Sequence, residues 1–327
     1  MRAVVLTEFG EPDVLRISDI NVPTPAEDEV LVKVAATALN RADMLQRRGL
    51  YPNPFPAKHN VPGLEFAGTV VAAGRHAGRW KINDKVMGIV AGGAYAEYLT
   101  VPAEQAFRTP HGMSLVDAAA IPEVFITAWD ALVVQGGLQP GGRALVHAGA
   151  SGVGTAAIQL CRAMGVWIAV TCSTNKTQAC RDLGANLVID YSKDDFATVI
   201  SEATLGQGVN VVLDVVGGDY VARNVACLAH KGRIMQVGVM AGPPASFNIA
   251  SLMPKRASIT GTVLRPRPPA EKIAVSRAFA DALLPEFDAG VLRPIIDCRY
   301  DLTQIADAHR HMEANANIGK IVVTIAP

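Results

Sequence analysis

The chain of 327 residues is longer than one compact core usually requires, and about 150 residues per domain predicts two domains. Half of the residues are apolar and 18% are charged, a composition that excludes wholesale disorder. The 30 Lys and Arg residues balance 30 Asp and Glu residues, so the chain lacks the net positive field that gathers nucleic acid. Nucleic acid is therefore not an expected partner.

Two further features bear on location. The first residues lack the apolar run of a secretory signal, and the long uncharged stretch at 144–161 is too polar for a membrane-spanning helix. The five cysteines include no CxxC pair, which suits a reducing compartment. We therefore expect a cytoplasmic protein that does not associate with a membrane.

The first hundred residues read as a mostly antiparallel β module. Strand-like runs separated by turn residues occur at 3–6, 29–34, 66–72, 85–90 and 95–101. One short helix is predicted near 41–48, followed by a proline-rich loop at 51–56. Because proline restricts the backbone, this loop is suited to holding a pocket wall in place.

From about residue 123 short β-branched runs alternate with helical stretches. Strands are predicted at 144–148, 167–172, 187–190, 209–216, 233–238 and 258–264. Helices are predicted between them at 155–164, 176–183, 194–205 and 219–230. This alternation predicts right-handed crossovers and a doubly wound α/β fold with a parallel sheet.

The C-terminal part follows a different order. Two helices are predicted at 270–287 and 300–315, and a closing strand at 320–325 has no crossover partner. We therefore expect this part to return to the front module. The predicted domains are 1–123, the first part of the front domain, 124–266, the alternating α/β domain, and 267–327, the return to the front domain.

A glycine-rich turn ends the first strand of the alternating region. Gly149, Ser151, Gly152, Val153 and Gly154 lie in the segment HAGASGVG, directly before a predicted helix. Glycines permit a tight turn, and the backbone N–H groups at the helix start attract a pyrophosphate. The spacing departs from strict GxGxxG, so the position between strand and helix carries the prediction of a dinucleotide site.

The end of the second strand bears on the choice of nucleotide. A site for NAD would place Asp or Glu there for the ribose hydroxyls, whereas this chain has Ser173, Thr174 and Lys176. Hydroxyls and an ammonium group favour a 2′-phosphate, so NADPH is predicted over NADH. An ordinary solvated lysine is the alternative for Lys176. Tyr191, after the third strand, is a candidate to contact the same phosphate or the adenine.

With these residues in view, the chain resembles the zinc-free quinone oxidoreductase family of the medium-chain dehydrogenase/reductases, the zeta-crystallin-like group. The resemblance rests on the segments EFGEPDVL, ALNRADMLQRRG, PGLEFAGTV, AAAIPEVFITAW, HAGASGVGTAAIQL and NIGKIV. The NRAD segment and the EANANIGKIV ending resemble its stress-inducible branch. The resemblance implies a GroES-like catalytic domain, a Rossmann domain, NADPH-dependent reduction of quinones or enones, and a homodimer joined through the nucleotide-binding domains.

The same resemblance implies roles for particular residues. Asn40 and Tyr51 are expected near the nicotinamide, as donors of a hydrogen bond to the reduced acceptor. Tyr51 also reads as an aromatic wall that only shapes the pocket. The remaining positions expected to contact the cofactor are Thr127, Val237, Gly238, Val263, Leu264, Asn317 and Lys320. An exposed lysine at a strand edge is the alternative for Lys320, and Asp43 is expected to act structurally, as a helix cap or by pairing with nearby arginines, rather than as a base.

No metal is expected. Asn40 stands where zinc alcohol dehydrogenases carry a cysteine ligand, and Leu64 stands in place of the histidine of Gly-His-Glu. All five cysteines lie beyond residue 160, outside both motifs.

The sequence thus predicts an NADPH-dependent quinone oxidoreductase. Two alternatives stay open: a zinc-free enone or enoyl-thioester reductase, and a non-catalytic NADPH-binding protein with a structural or RNA-contacting role. A carrier-bound thioester requires a basic path, for which only Arg265 and Arg267 are candidates.

Overall fold

The computed structural model describes residues 1–55 and 59–325. The chain divides into unit 1, Met1–Ile126 with Leu264–Pro327, and unit 2, Thr127–Val263. The sequence places these boundaries after residues 123 and 266. Pro56, the last residue of the predicted proline-rich loop, lies outside the described residues.

The strands of the described chain are, in order, β1 (Arg2–Val5), β2 (Arg16–Asp19), β3 (Glu29–Ala38), β4 (Glu65–Ala73), β5 (Lys85–Ile89), β6 (Tyr98–Pro102), β7 (Phe107–Arg108), β8 (Arg143–Val146), β9 (Trp167–Cys172), β10 (Leu187–Asp190), β11 (Val209–Asp214), β12 (Leu228–Gln236), β13 (Ser258–Gly261), β14 (Ile296–Asp301) and β15 (Lys320–Thr324).

The α-helices of the described chain are α1 (Arg41–Arg47), α2 (Leu115–Ala118), α3 (Pro122–Trp129), α4 (Gly152–Ala163), α5 (Thr177–Asp182), α6 (Phe196–Ala203), α7 (Tyr220–Cys227), α8 (Leu252–Lys255), α9 (Pro269–Asp288) and α10 (Ile305–Glu313). A π-helical turn, Asp130–Gln135, continues α3. None of the helices within 1–55 and 59–325 has the length and apolar character needed to cross a membrane.

Unit 1 is built around one seven-stranded sheet in the order β14-β15-β3-β4-β5-β7, with β6 paired to β3. The long strand β3 forms its centre, because Val30, Val32 and Val34 are fully buried in the core. The last strand, β15, pairs antiparallel with β3 and parallel with β14. The C-terminal segment is therefore part of the main sheet of the front module.

Unit 2 carries a six-stranded parallel sheet in the order β10-β9-β8-β11-β12-β13. The first strand in sequence, β8, lies between β9 and β11, so the direction of strand progression reverses between β8 and β11. This is the doubly wound arrangement predicted from the sequence, and it places ligands at the carboxyl ends of the strands beside the reversal.

Two predicted helices differ from the structure. Residues 300–315 were expected to be helical, whereas Ile296–Asp301 form β14 and the α-helix begins only at Ile305. The side chain of Asp301 accepts a hydrogen bond from the backbone N–H of Thr303 and so starts the helical turn. The predicted helix 219–230 also ends early, because the chain enters β12 at Leu228. Both errors concern a boundary where strand and helix are contiguous.

The tight turn after β8 leads to the first prediction. A Cβ atom at residue 154 would lie 2.4 Å from the carbonyl oxygen of Ala148, so Gly154→Ala requires the turn to move. We expect a loss of about 1–3 kcal/mol in the free energy of unfolding, measured by denaturant titration. Gly261→Ala is the matched control, since no heavy atom lies within 4 Å of its added Cβ. Equal stability of the two variants would contradict this account of the turn.

Candidate functional site

The turn between β8 and α4 forms a tight backbone cradle in unit 2. Ala148 adopts a left-handed conformation with φ of 56°, and a Cβ on Gly149 would lie 2.6 Å from the Cβ of Val170. Ser151 caps the helix, because its hydroxyl accepts a hydrogen bond from the N–H of Gly154. The remaining N–H groups of the first helical turn have no intrahelical partner and carry the positive end of the helix dipole. The cradle fits a pyrophosphate.

A buried polar network supports this turn from below. The Nδ2 of Asn224 donates to the carboxylate of Asp214 at 2.9 Å, which leaves its Oδ1 facing Nε2 of His147 at 2.7 Å. His147 must therefore donate from Nε2 and accept from the hydroxyl of Thr171 at Nδ1, 2.9 Å away. Burial lowers the pKa of His147, which keeps the imidazole neutral. The network ties the ends of β8, β9 and β11 to α7.

The end of β9 holds the residues predicted to select the nucleotide. Ser173, Thr174 and Lys176 lie together in one turn, and the hydroxyl of Thr174 donates to Asp190 at 2.5 Å. Asp190 ends the neighbouring strand β10, so a carboxylate lies beside the hydroxyls. The local sequence at the end of β9 does not reveal this carboxylate, because β9 and β10 become neighbours only in the folded sheet.

The charge of Asp190 is balanced locally. Hydrogen bonds from Thr174 and Ser192 hold the pKa of this carboxyl below its usual range, and the ammonium of Lys193 lies 3.3 Å away. Tyr191 follows directly and is half-exposed. The turn therefore combines hydroxyls and two lysines with one compensated carboxylate.

The other residues expected to contact the cofactor in unit 2 lie mainly near the ends of strands. The N–H groups of Val237 and Gly238, which follow β12, both donate to the carbonyl of Asp214 at the end of β11. β11 is one of the two strands between which the direction of strand progression reverses. A Cβ on Gly238 would lie 3.1 Å from the carbonyl of Val215, so the backbone there is close-packed. Thr127 is half-buried on α3, and Val263 is half-exposed just beyond β13.

A buried ion pair lies at the centre of unit 1. The ammonium of Lys320 lies 2.8 Å from Oε1 of Glu65, and their side chains are 3% and 0% exposed. Lys320 also donates to the carbonyl of Leu39 at 2.6 Å and to Oδ1 of Asn40 at 2.8 Å. The structure thus excludes the alternative of an exposed edge lysine.

Asn40 is held entirely by this cluster. Its Nδ2 donates to Oε1 of Glu65 at 2.9 Å and to the carbonyl of Ala38 at 3.2 Å, while its Oδ1 accepts from Lys320. Both amide hydrogens are therefore engaged within the protein. Its predicted donor role would require one of these bonds to break.

Glu123 lies beside the same cluster and is not among the site residues predicted from the sequence. Its backbone N–H donates to Oε2 of Glu65 at 2.9 Å, which places residue 123 at the start of α3. Burial and the neighbouring carboxylate of Glu65 raise the pKa of Glu123 to about 8. A signal existed in the sequence, since Glu123 is the one charge in the apolar run 118–128.

Asp43 has the structural role that the sequence predicted. Its Oδ2 accepts from the N–H of Asn40 at 2.8 Å and from the hydroxyl of Tyr95 at 3.0 Å. Burial raises the pKa of Asp43 to about 6. Because the Tyr95 proton is directed to Asp43, Nε2 of His309 is the donor of the 3.3 Å contact with the Tyr95 oxygen. Asp43 therefore caps α1 and anchors a buried chain of polar groups.

Tyr51 is held by a buried arginine. Arg265 donates to the carbonyl of Tyr51 at 2.9 Å and lies 5.0 Å from the centre of its ring. The other donors of Arg265 reach the carbonyl of Ala91 and the side chain of Gln46. Burial raises the pKa of Tyr51, which makes its phenol a weaker acid. Each of the three guanidinium nitrogens of Arg265 thus donates to an acceptor within unit 1.

Two more predicted residues lie in unit 1. Asn317 is buried and donates to the carbonyl of Gly319 at 2.8 Å, which fixes the entry into β15. Leu264, also expected at the cofactor, is buried at the start of the C-terminal part of unit 1.

Within 1–55 and 59–325, one group of side chains has metal-ligand proximity: Asp297, Cys298 and His311, with one ligand atom of each within 4.8 Å of the others. The pairing of β14 with β15 shifts register between Ile296 and Cys298. Asp297 and Cys298 both reach His311, at 3.4 Å each. Burial raises the pKa of Cys298 to about 11, so the group is a hydrogen-bonded cluster with a protonated thiol. This group lies outside the ligand positions of zinc alcohol dehydrogenases and is not among the residues predicted from the sequence.

Family models match both units. A model described as alcohol dehydrogenase GroES-like domain matches residues 26–111, and one described as zinc-binding dehydrogenase matches residues 152–280. The synaptic vesicle membrane protein VAT-1 homolog of Rattus norvegicus is 33% identical over the whole chain and 85% of its own length. Quinone oxidoreductase of Homo sapiens is 30% identical, over 99% of this chain and 98% of that protein.

Solved structures give the same result. The Escherichia coli quinone oxidoreductase complexed with NADPH has a TM-score of 0.89 at 28% identity, covering 99% of this chain and all of that one. The CurK enoyl reductase has a TM-score of 0.87 at 28% identity, with 99% of both chains covered. The chain belongs to the medium-chain dehydrogenase/reductase superfamily, whose members are oxidoreductases that use nicotinamide nucleotides. The predicted resemblance and fold class are confirmed.

The buried ion pair leads to the second prediction. Lys320→Met leaves the carboxylate of Glu65 buried without its cation, so we expect a loss of about 3–5 kcal/mol in the free energy of unfolding. Glu65→Gln with Lys320→Met removes both charges and should recover part of that loss. Lys33→Met, at an exposed position of β3, is the matched control. A double variant no more stable than Lys320→Met would contradict the charge argument.

Proposed function

We propose that this protein is an NADPH-dependent quinone oxidoreductase that works without a catalytic metal. The observation that carries the proposal is the cradle at residues 149–154, where glycines leave no room for a Cβ and the start of α4 presents free N–H groups. The Escherichia coli quinone oxidoreductase, structurally similar along almost the whole chain, is described in complex with NADPH.

The residues present fit a nicotinamide nucleotide. The pyrophosphate would be held by the N–H groups of Gly152 and Val153, beside the N–H of Gly154 that Ser151 caps, and Val237 and Gly238 would adjoin the nicotinamide half. When bound, the nucleotide supplies a hydride equivalent from its reduced ring. The protein's own contribution is then to position the acceptor, exclude water and provide hydrogen-bond donors.

The choice of NADPH over NADH rests on the turn after β9. Lys176 offers a cation and Lys193 adds a second cation at the end of β10, whereas the hydroxyl of Ser173 donates to Oδ1 of Asn175 at 2.7 Å. Asp190 opposes a 2′-phosphate by charge, but its carboxylate is already neutralised by Lys193 and by hydroxyl donors. The net local balance favours the phosphorylated nucleotide.

The acceptor proposal rests on unit 1. A quinone already accepts electrons readily, so it requires positioning and hydrogen bonding more than a Lewis acid. Tyr51 offers an aromatic ring and a hydroxyl that has no hydrogen bond to any described residue. Asn40 and Leu64, at the positions of zinc ligands in related alcohol dehydrogenases, give no thiolate or imidazole.

An enone or enoyl-thioester reductase is the second candidate, since the CurK enoyl reductase is structurally similar over almost the whole chain. Of the two arginines considered for a basic path, Arg265 is buried with its donors engaged, which argues against a long phosphorylated carrier. A simple enone needs no such path. The non-catalytic alternative is favoured by no particular contact.

We also propose a cytoplasmic homodimer joined through unit 2. The edge strand β13 pairs only with β12 within the described chain, and most of its residues are exposed. Ile249 and Met253, just before this strand, are 73% and 75% exposed. An unpaired edge flanked by apolar side chains is suited to pairing with a second copy.

The direct test is steady-state turnover with both nucleotides and two acceptor classes. We expect oxidation of NADPH with a para- or ortho-quinone, slower oxidation of NADH, and weaker activity with a simple enone. Faster turnover of the enone would favour the second candidate. Tight NADPH binding without turnover of any acceptor would favour the non-catalytic alternative.

The nucleotide preference gives a separate prediction. Lys176→Glu replaces attraction for a 2′-phosphate by repulsion, so we expect the Kd for NADPH to rise about tenfold or more. The Kd for NADH should change by less than about twofold, because that nucleotide has no phosphate there. Fluorescence titration measures both constants, with exposed Lys231→Glu as the control. Equal weakening of both nucleotides would remove the argument for selectivity.

A further inference from the structure

We propose that Glu123 is the catalytic acid that protonates the reduced acceptor. This inference deepens the proposed function and rests on it. The carboxyl group of Glu123 differs from its neighbours in having no hydrogen-bond partner among the described residues. The neighbouring groups considered as donors are engaged with the protein or are weaker acids.

The main chain of Glu123 is fixed next to a saturated cluster. Its N–H donates to Oε2 of Glu65, while Oε1 of Glu65 accepts from Asn40 and Lys320. The carboxylate of Glu65 thus has three donors, and the amide group of Asn40 has no hydrogen left to give. The carboxylate of Glu65 carries no proton to give, and Asn40 cannot donate a hydrogen bond to a ligand without breaking this cluster.

The carboxyl group of Glu123 differs from these neighbours. It makes no hydrogen bond or ion pair with any residue in the part of the chain that the structure describes, and its side chain is only half-buried. A carboxyl group beside a buried ion pair is costly to leave without a partner. Because the carboxyl group has unused hydrogen-bonding capacity and is partly exposed, it is available to a ligand that enters unit 1.

Charged groups from every neighbouring element act on Glu123. Glu65 on β4 and Asp43 on α1 oppose its ionisation, whereas Lys320 on β15 and Arg265 before α9 favour it. Glu123 also favours the charged form of Lys272 on α9 and disfavours ionisation of Tyr51. The effects of burial and of Glu65 on the pKa are the larger ones, so the pKa of Glu123 is raised to about 8. At neutral pH the carboxyl group is therefore mostly protonated.

Tyr51 is the competing proton donor. Burial raises the pKa of its phenol above the ordinary value of 10.0. A general acid is most effective when its pKa lies near the working pH, so the carboxyl group of Glu123 is better matched than the phenol. Tyr51 is then left to orient the acceptor ring.

The proposed step transfers a hydride equivalent and a proton to the quinone. The quinone gains two electrons and one hydrogen nucleus as the hydride equivalent, and one carbonyl oxygen takes the proton of Glu123 as its O–H bond forms. The products are a hydroquinone, the oxidised nucleotide and the carboxylate of Glu123. Water returns a proton to the carboxylate before the next turnover.

Glu123→Gln tests the role, because the amide preserves the shape but cannot donate an acidic proton. For the quinone reaction at pH 7 we expect kcat to fall about 100-fold, with the acceptor KM changed by less than about threefold. In the unsubstituted protein kcat should decline as pH rises through about 8, and this decline should be absent in the variant. Glu123→Asp, which keeps a carboxyl group, should recover part of kcat and restore a decline.

A second readout does not depend on turnover. The unfolded chain loses the Glu123 proton near pH 4.5, whereas the folded protein keeps it up to about pH 8. Unfolding therefore releases this proton between those values, so the stability of the unsubstituted protein falls relative to Glu123→Gln as pH rises across the window. Above about pH 8 the difference should be constant. Thermal melts of the nucleotide-free proteins measure it.

Glu271→Gln is the matched control, because Glu271 is exposed on the first turn of α9 and should leave both readouts unchanged. If the unsubstituted protein turns over no acceptor, the proposed function fails. If it turns over quinones while Glu123→Gln keeps kcat within threefold and the same pH profile, the acid role alone is overturned. A stability difference that does not vary with pH would overturn the raised pKa on which the role depends.

Discussion

The buried carboxylate of Glu65 is the constraint on which unit 1 depends. It accepts hydrogen bonds from Asn40 at the start of α1 and from the N–H of Glu123 at the start of α3, and it pairs with Lys320 on the last strand. These groups lie far apart in sequence, so one ionised side chain fixes three elements against β4. Burying such a charge is tolerable because three donors contact the carboxylate and one of them is a cation.

In unit 2 the equivalent constraint is close packing of the backbone. Gly149 and Gly154 allow the chain after β8 to turn against Val170 and the carbonyl of Ala148 without any side chain between. The network of His147, Asn224 and Asp214 then fixes the strand ends beneath the turn. An anion site built from N–H groups requires this rigidity, because the N–H groups must already point at the ligand when it arrives.

The two units contribute different chemistry. Unit 2 offers a backbone site for phosphates with a few selective side chains, whereas unit 1 offers buried carboxyl groups in different electrostatic surroundings. Glu65 is ion-paired with Lys320. The pKa of Asp43 is raised to about 6 and the pKa of Glu123 to about 8. Carboxyl groups in one cluster thus acquire different roles from burial and from one another's charge.

The sequence by itself determined the α/β class, the alternation of strands and helices along the middle region and the position of the glycine turn. These follow from local patterns, since periodicity and glycine placement act within a few residues. It also marked Lys320 and Asn40, through family resemblance. The contiguous β14 and α10 were misread, because a strand that leads directly into a capped helix gives no turn signal between them.

Only the tertiary structure decided which of these side chains remain available to contact a ligand. Lys320 is buried against Glu65, Asn40 has no free hydrogen, and Asp190 adjoins Thr174 across two strands. Each fact depends on a contact between residues distant in sequence, and no local pattern encodes such a contact. Glu123 shows the same limit, because its raised pKa is produced by burial and by neighbours that the fold alone brings together.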